Sequence, residues 1–447
     1  MKICVKTCRY NWFAIILVVS LGFFVPKVLA QSLTLEEAIR QGLTNRNEVK
    51  NAALNVQLAE RENEKLRAQW LPQVSGTVDL RWNTQLQTTI LPFDITGRNP
   101  DGKSEVKFGL PFNNNFGLNA EQKILDPTTK YNRQLNDAQV ATQRNAAEQQ
   151  QIDIRQAITE AYYLAVFDKE KIQLAEETVR RASSNLEIAQ TKLDAGTLLP
   201  NDFDRSRLDL KNTELALRKA RQDYNLALQA LQYRMGVPQN GLLELAGTLT
   251  EILSDTVAVA PPDVAQRVEL QAEELNYKVQ ELAESRELAV RLPTLSAYGN
   301  YSVLQLNEKL NPFQAGTWYP FNYLGLRLNV PIFDGRQARL SAGDYRVRQQ
   351  ISRNALDQLR QDFTYETQSA LTTLYQARLD VLDTQANVAL ARQILATDLF
   401  RYEKDVLMLS ELNNTQNTLQ TAENNYLTSV YNYLVALVRY RKAAGSL

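Results

Sequence analysis

The chain has no histidine, and its two cysteines, Cys4 and Cys8, both lie at the extreme N-terminus. That removes the commonest general base, the thiol nucleophile and the usual zinc and copper ligands. No Gly-x-Ser-x-Gly elbow, P-loop or dinucleotide fingerprint occurs either. A surplus of charge is also missing: Lys+Arg and Asp+Glu are both 50, which argues against a nucleic-acid partner. Carboxylate-only catalysis is what remains, yet the acidic residues are spread along polar helix faces. No enzyme, no cofactor and no metal site is expected. The last scarcity is of glycine and proline, absent from Thr128 to Ala195, from Asn201 to Met235 and from Asp344 to Ala444. Stretches of this kind, rich in Ala, Leu, Gln, Glu, Arg and Lys, predict very long helices. A helix of about 65 residues is roughly 100 Å long, too long for a compact domain.

The N-terminus reads as a secretory signal over residues 1–30. Lys2, Lys6 and Arg9 precede an apolar run through Ile15–Val19, and Val28-Leu29-Ala30 offers small residues before Gln31. The run is short for an anchor helix. Cleavage there removes both cysteines, so no lipid attachment is expected.

The helical stretches carry heptads. Ile158, Ala165, Ile172, Val179, Leu186 and Leu193 recur every seven residues, with Ala161, Ala175, Ala182 and Ala189 interleaved and Asp168 breaking the small series. Leu374, Val381, Val388 and Leu395 repeat the scheme beside Ala370, Ala377, Thr384 and Ala391. Such repeats specify coiled-coil seams.

Four other segments have period two. Val74 to Trp82, Phe116 to Glu121, Leu295 to Val303 and Leu324 to Val330 alternate apolar and polar residues, as transmembrane β-strands do. Trp82, Phe93, Trp318, Tyr319, Phe321 and Tyr323 cluster near their ends, where an interfacial aromatic girdle belongs. Polar loops, Pro92–Asn115 and Gln305–Pro320, join each pair.

The two halves look alike, which predicts an internal duplication. Residues 31–240 form a first repeat: a helix, strands near 73–84 and 115–125, and helices near 128–194 and 201–235. A linker covers 241–262. Residues 263–447 form a second repeat, with strands near 294–305 and 321–333 and helices near 336–404 and 409–443. Four strands cannot close a barrel, and open edges are not tolerated in lipid, so several copies must pool their strands.

Leu33-Thr34-Leu35-Glu36-Glu37-Ala38, the Leu-Pro before each strand pair, Ala195-Gly196-Thr197, Pro331-Ile332-Phe333-Asp334-Gly335 and Tyr431-Asn432-Tyr433-Leu434 occur in an order that resembles the TolC-like outer-membrane efflux proteins. The resemblance spans essentially the whole mature chain. It implies a mainly α fold with a transmembrane β portion: a homotrimer with a shared twelve-stranded barrel on an α-helical periplasmic tunnel. It further implies a passive duct in outer-membrane lipid, docked to a periplasmic adaptor and an inner-membrane pump. By the same resemblance Asp202, Tyr402, Glu411 and Asn414 fall at the periplasmic gate, with Tyr402 and Asp202 as hydrogen-bonded bridging partners. The family's basic bridging residue is Leu407 here, and Asn414 stands where a second acidic ring residue is expected. Ala195, Gly196 and Thr197, and at the second tip Asp405, Val406 and Leu407, fall at the adaptor contact, Asp405 replacing a glycine. An exported coiled-coil protein without a pore is the alternative. Three methionines and no histidine give no sign of a soft-metal relay, which favours organic cargo.

Overall fold

The computed structural model describes residues 32–93, 95, 102–239, 243–254, 263–311, 314, 316–404 and 406–447. The signal segment 1–30, residues 241–242 and 255–262 of the expected linker, the tip of the first strand-pair loop and Asp405 lie outside these.

Four strands make one antiparallel sheet in the order β1-β4-β5-β6: β1 (Gln73–Trp82), β4 (Phe112–Leu125), β5 (Thr294–Asn307) and β6 (Trp318–Asn329). Both outer strands, β1 and β6, leave an edge unpaired among the described residues. The loop after β1 is more ordered than a bare excursion, because β2 (Thr88–Leu91) and β3 (Ser104–Lys107) pair into a small hairpin. β4 also starts earlier than its alternation signals. Asn113–Asn115 have poor strand propensity, but they are paired with β1 on one side and β5 on the other.

Below the sheet the two repeats match in element order and length. α2 (Asn47–Ala68) and α6 (Val268–Ala289) lead into the sheet and have 22 residues each. α3 (Thr128–Asp194) and α7 (Gln337–Glu403) leave it and have 67 residues each, about 100 Å of helix. α4 (Pro200–Met235) and α8 (Leu409–Ala443) run back with 36 and 35.

Local chemistry fixes these starts and stops. Each long helix begins on an aspartate. Asp126 Oδ1 accepts from the Thr128 amide and hydroxyl at 3.1 and 2.6 Å, and Asp334 accepts from the Arg336 and Ala338 amides at 2.9 and 3.1 Å. The chain enters α7 through Gly335 and Arg336, both with positive φ. Pro200 opens α4, where a missing N–H costs nothing, and Gly236 closes it in the left-handed conformation.

A collar surrounds the middle of α3. α1 (Leu35–Asn45) is capped by Thr34, and Leu33 makes a parallel bridge to Leu245. The Tyr162 hydroxyl lies 2.8 Å from the Ala246 carbonyl and 3.0 Å from that of Leu33, and burial pushes its pKa up to about 12. Leu245 and Leu249, the latter opening the short α5 (Leu249–Ser254), are buried in the main apolar cluster with Ile158, Val166 and Leu231. The segment expected as a linker is thus partly core.

The heptad positions of α7 form a buried stripe. Leu374, Val381, Val388 and Leu395 are all buried, and Tyr402 continues the series. On α3 the enclosed series changes along the helix: Ile158 and Ala165 are buried near the collar, whereas towards the tip Ala182 and Ala189 are buried and Ile172, Val179 and Leu186 half-buried. This face of α3 meets α8, where Asn185 donates to Asn413 and Gln416 at 3.0 and 2.7 Å.

Candidate functional site: sheet faces and helical tip

Directly opposed residues of an antiparallel pair share a face, so the register assigns every side chain. One face carries Val74, Val78, Leu80 and Trp82 of β1, Phe112, Phe116 and Leu118 of β4, Leu295, Tyr301 and Val303 of β5, and Leu324, Leu326 and Leu328 of β6. Most of these are exposed, Leu324 to 93%. An apolar surface of this extent needs a non-aqueous neighbour. Its upper end is finished by the Gln305 amide, which receives from Asn114 at 2.9 Å and donates to the Asn311 carbonyl and Thr317 hydroxyl at 2.8 and 3.0 Å.

The other face is polar and internally hydrogen-bonded. Asn119 donates to Thr77 at 3.4 Å, Asn300 to Asn119 at 2.7 Å, and Ser302 to Asn300 at 2.9 Å. Arg81 pairs with Asp79 at 2.8 Å. Gly117 sits against this ladder, and a Cβ there would come within 2.6 Å of the Ser302 hydroxyl.

The register also divides the expected aromatic girdle. Trp82 and Trp318 lie on the apolar face, Trp82 stacked on Phe112 at 6.1 Å and Trp318 against Phe116 at 5.1 Å. Tyr319, Phe321 and Tyr323 oppose Leu304, Ser302 and Asn300, on the polar face. Those three are not girdle residues: they alternate out of phase with Leu324, Leu326 and Leu328. Tyr323 meets the Tyr298 ring edge-on at 6.0 Å, and Arg327 stacks on Tyr298 at 4.7 Å. Phe112 and Phe116, which were not singled out, complete the apolar-face aromatic group.

At the opposite end, about 100 Å of helix away, two tight turns form the tip. Gly196 has φ +72, and the Thr197 amide donates to the Lys192 carbonyl at 2.9 Å, closing α3 with a left-handed cap. At the second turn the Val406 amide donates to the Arg401 carbonyl at 2.9 Å. Ala195, Gly196, Thr197 and Val406 are exposed. Leu407 is buried instead, in a cluster with Tyr402, Leu409 and Leu412 that also takes in Leu198 and Phe203 from the first helix pair.

The gate residues are not all brought together. Tyr402 is 7% exposed, its hydroxyl has no hydrogen-bond partner among the described residues, and Lys192 Nζ stands 4.3 Å from its ring centroid. Asp202 does not reach it, and its carboxylate is 3.4 Å from Arg205, one turn along α4. The expected phenol–carboxylate bridge is therefore not made within the chain: the seam draws Tyr402 inward, and Leu407 supplies an apolar wall where a cation was expected. Glu411 and Asn414 are exposed in the first turns of α8, one helical turn apart. Behind the tip, buried Glu423 takes Arg392 at 3.0 Å and Arg181 at 3.9 Å, a polar tie between the helix pairs that sequence reasoning missed. Among the described residues no group of three or more His, Cys, Asp or Glu is placed to hold a metal ion, and no helix is long and apolar enough to cross a membrane.

Comparison with known proteins agrees with this geometry. Residues 38–237 match the family model for outer membrane efflux proteins. The chain is 22% identical to the cobalt-zinc-cadmium resistance protein CzcC of Cupriavidus metallidurans over 323 residues, 70% of this chain and 67% of that one. Its fold is that of CusC, with a TM-score of 0.74 at 18% identity, covering 92% of this chain and 91% of CusC. The open-state MtrE outer membrane channel of Neisseria gonorrhoeae matches with a TM-score of 0.70 at 17% identity, over 92% and 88% of the two chains.

Together the family match over residues 38–237 and the shared channel fold support a TolC-like outer membrane efflux protein. A TolC-like protein is an outer-membrane channel with a periplasmic helical tunnel, and not an enzyme.

Proposed function

We propose that three copies of this chain pool their sheets into one twelve-stranded barrel and form the passive exit duct of a tripartite efflux or type I secretion system. The observation that carries this is the sheet itself: two faces of opposite character, two free edges, and helices of about 100 Å leaving one end. Unpaired strand edges in lipid cost several kcal/mol per group, so β1 and β6 must find partners in neighbouring copies. The polar ladder then lines the lumen and the apolar face meets lipid. The exposed turns Ala195–Thr197 and Val406 are the contact for a periplasmic adaptor, through which an inner-membrane pump supplies energy and cargo. Glu411 makes a single acidic ring at the entrance, with neutral Asn414 beside it, and one ring attracts cations less than two.

The test is transport in cells. Deleting the chain should sensitise its host to the cargo of the cognate pump, and reinstating it should restore resistance only while pump and adaptor are present. Resistance that persists without the pump rules out a passive duct. The likeness to CzcC favours a second reading of the cargo, divalent metal cations. Cobalt, zinc and cadmium sensitivity belongs in the same comparison as organic toxicants, and a strain sensitive only to the metals decides for that reading.

A further inference from the structure

The strongest site that the channel reading leaves unused is at the junction of sheet and helices. Between the last turn of α2 and the first turns of α3 lies a cavity of about 840 Å³. Its apolar wall includes Trp70, Leu125 and Leu292, and its basic side Arg67, Lys130 and Arg133. Among the described residues no carboxylate is within ion-pair distance of these three cations. Lys130 Nζ is 5.7 Å from the Tyr131 ring. The two carboxylates in the lining are engaged elsewhere: Asp126 holds Lys123 and the start of α3, and Asp137 accepts from Asn63 at 2.9 Å.

The register says which way the cavity opens. Leu125 opposes Leu295, and Gln122, whose amide donates to the Trp70 carbonyl at 3.3 Å, opposes Ala297. Both pairs belong to the apolar face, so the cavity continues that face downward. Lys130 and Arg133 are the third and sixth residues of α3, roughly 3 and 8 Å into the helix. The headgroup layer is about 5–7 Å thick on each side of the hydrocarbon. Cations and a tryptophan at that depth, under an apolar band, are the arrangement that holds phosphate headgroups against a membrane protein. Ile332 and Phe333, 95% and 84% exposed just beyond β6, add apolar surface where that strand leaves the sheet.

We infer that this cavity seats one anionic glycerophospholipid of the periplasmic leaflet, its phosphate between Arg67, Lys130 and Arg133 and its acyl chains along Leu125 and the apolar sheet face. The inference rests on that face lying in lipid. Bound there, the lipid sets the depth of the sheet–helix junction in the membrane.

Native mass spectrometry of the detergent-extracted, delipidated protein tests it, titrated with phosphatidylglycerol, phosphatidylcholine and glycerol phosphate. The wild type should retain phosphatidylglycerol in preference to phosphatidylcholine. Arg67→Gln, Lys130→Gln and Arg133→Gln should each weaken retention roughly fivefold, and together by more than tenfold. A control losing three cations from α4, Arg207→Gln/Arg218→Gln/Lys219→Gln, should bind as the wild type does. Equal retention by the site triple and the control overturns the inference, as does equal retention of the two lipids or equally strong binding of glycerol phosphate. Failure of the channel reading itself is distinguishable, because the protein would then be recovered from the periplasm without detergent.

Discussion

Tyr402 ends the α7 heptad inside an apolar cluster, with a phenol oxygen that none of the described residues satisfies. Removing only that oxygen relieves a buried unpaired group, a change worth about 1 kcal/mol at most and of favourable sign. Removing the ring leaves a cavity beside Leu407 and Leu412 and should cost roughly 3–5 kcal/mol at the tip. Tyr402→Phe is therefore expected to keep the basal leak of reconstituted channels unchanged, while Tyr402→Ala raises it in planar-bilayer recordings. A leaky Tyr402→Phe would show that the hydroxyl does find a partner, in a neighbouring copy. Asp168 is the other residue that departs from its surroundings. Burial raises its carboxyl pKa, Lys171 at 3.9 Å pulls the other way, and Asp223 adds to the rise. A pKa raised in the folded state means that the charged form burdens the fold at neutral pH, and the burden lifts as pH falls through the raised value towards the ordinary carboxylate range. Asp168→Asn should unfold at a higher temperature than the wild type at pH 7, with the difference shrinking on acidification. A lower unfolding temperature in the variant at pH 7 would mean the Lys171 pair dominates.

Among the elements, the sheet makes the sharpest demands, because one residue of parity separates lipid from lumen. Leu326→Lys places a charge in the apolar band and should cost roughly 2–4 kcal/mol, measured as lost heat-stable, membrane-extractable protein. Tyr323→Lys, three positions away on the polar face, should insert normally and shift ion selectivity towards anions. If both variants insert equally well, the assignment of faces is wrong. The long helices depend on their caps: Asp126→Ala should destabilise the start of α3 by about 1 kcal/mol in thermal unfolding. Helices, seams and strands were legible in the sequence because periods of seven and two are local properties. The girdle was misread although its signal was present: Tyr323 is one residue before Leu324 and so cannot share its face. The early start of β4 was not legible, since Asn113–Asn115 become strand only through neighbours distant in sequence. The apolar spacing of Leu243, Leu245 and Leu249 marked the collar, but proline and glycine around it read more loudly as a linker.

For the molecule as a whole, the two halves are built alike and each long helix is flanked by a helix that leads into the sheet. α2 packs on α3 and α6 on α7 in the same manner, through pairs such as Arg144–Glu60 and Arg346–Glu284, both at 2.6 Å. The single chain leaves one sheet face apolar and two edges open; in the proposed channel neighbouring copies pair the edges and lipid covers the face. At this scale the sequence spoke least about the tip. Heptads place Tyr402 in a seam, but only the fold shows that Leu198 and Phe203 of the other helix pair reach the same cluster. The measurement closest to the central claim is single-particle electron microscopy of the protein extracted from outer membranes in mild detergent. A threefold particle, with a closed twelve-stranded barrel at one end and a hollow helical tunnel tapering at the other, is the predicted result; a monomeric solid rod, or a sheet that stays open in lipid, would contradict it.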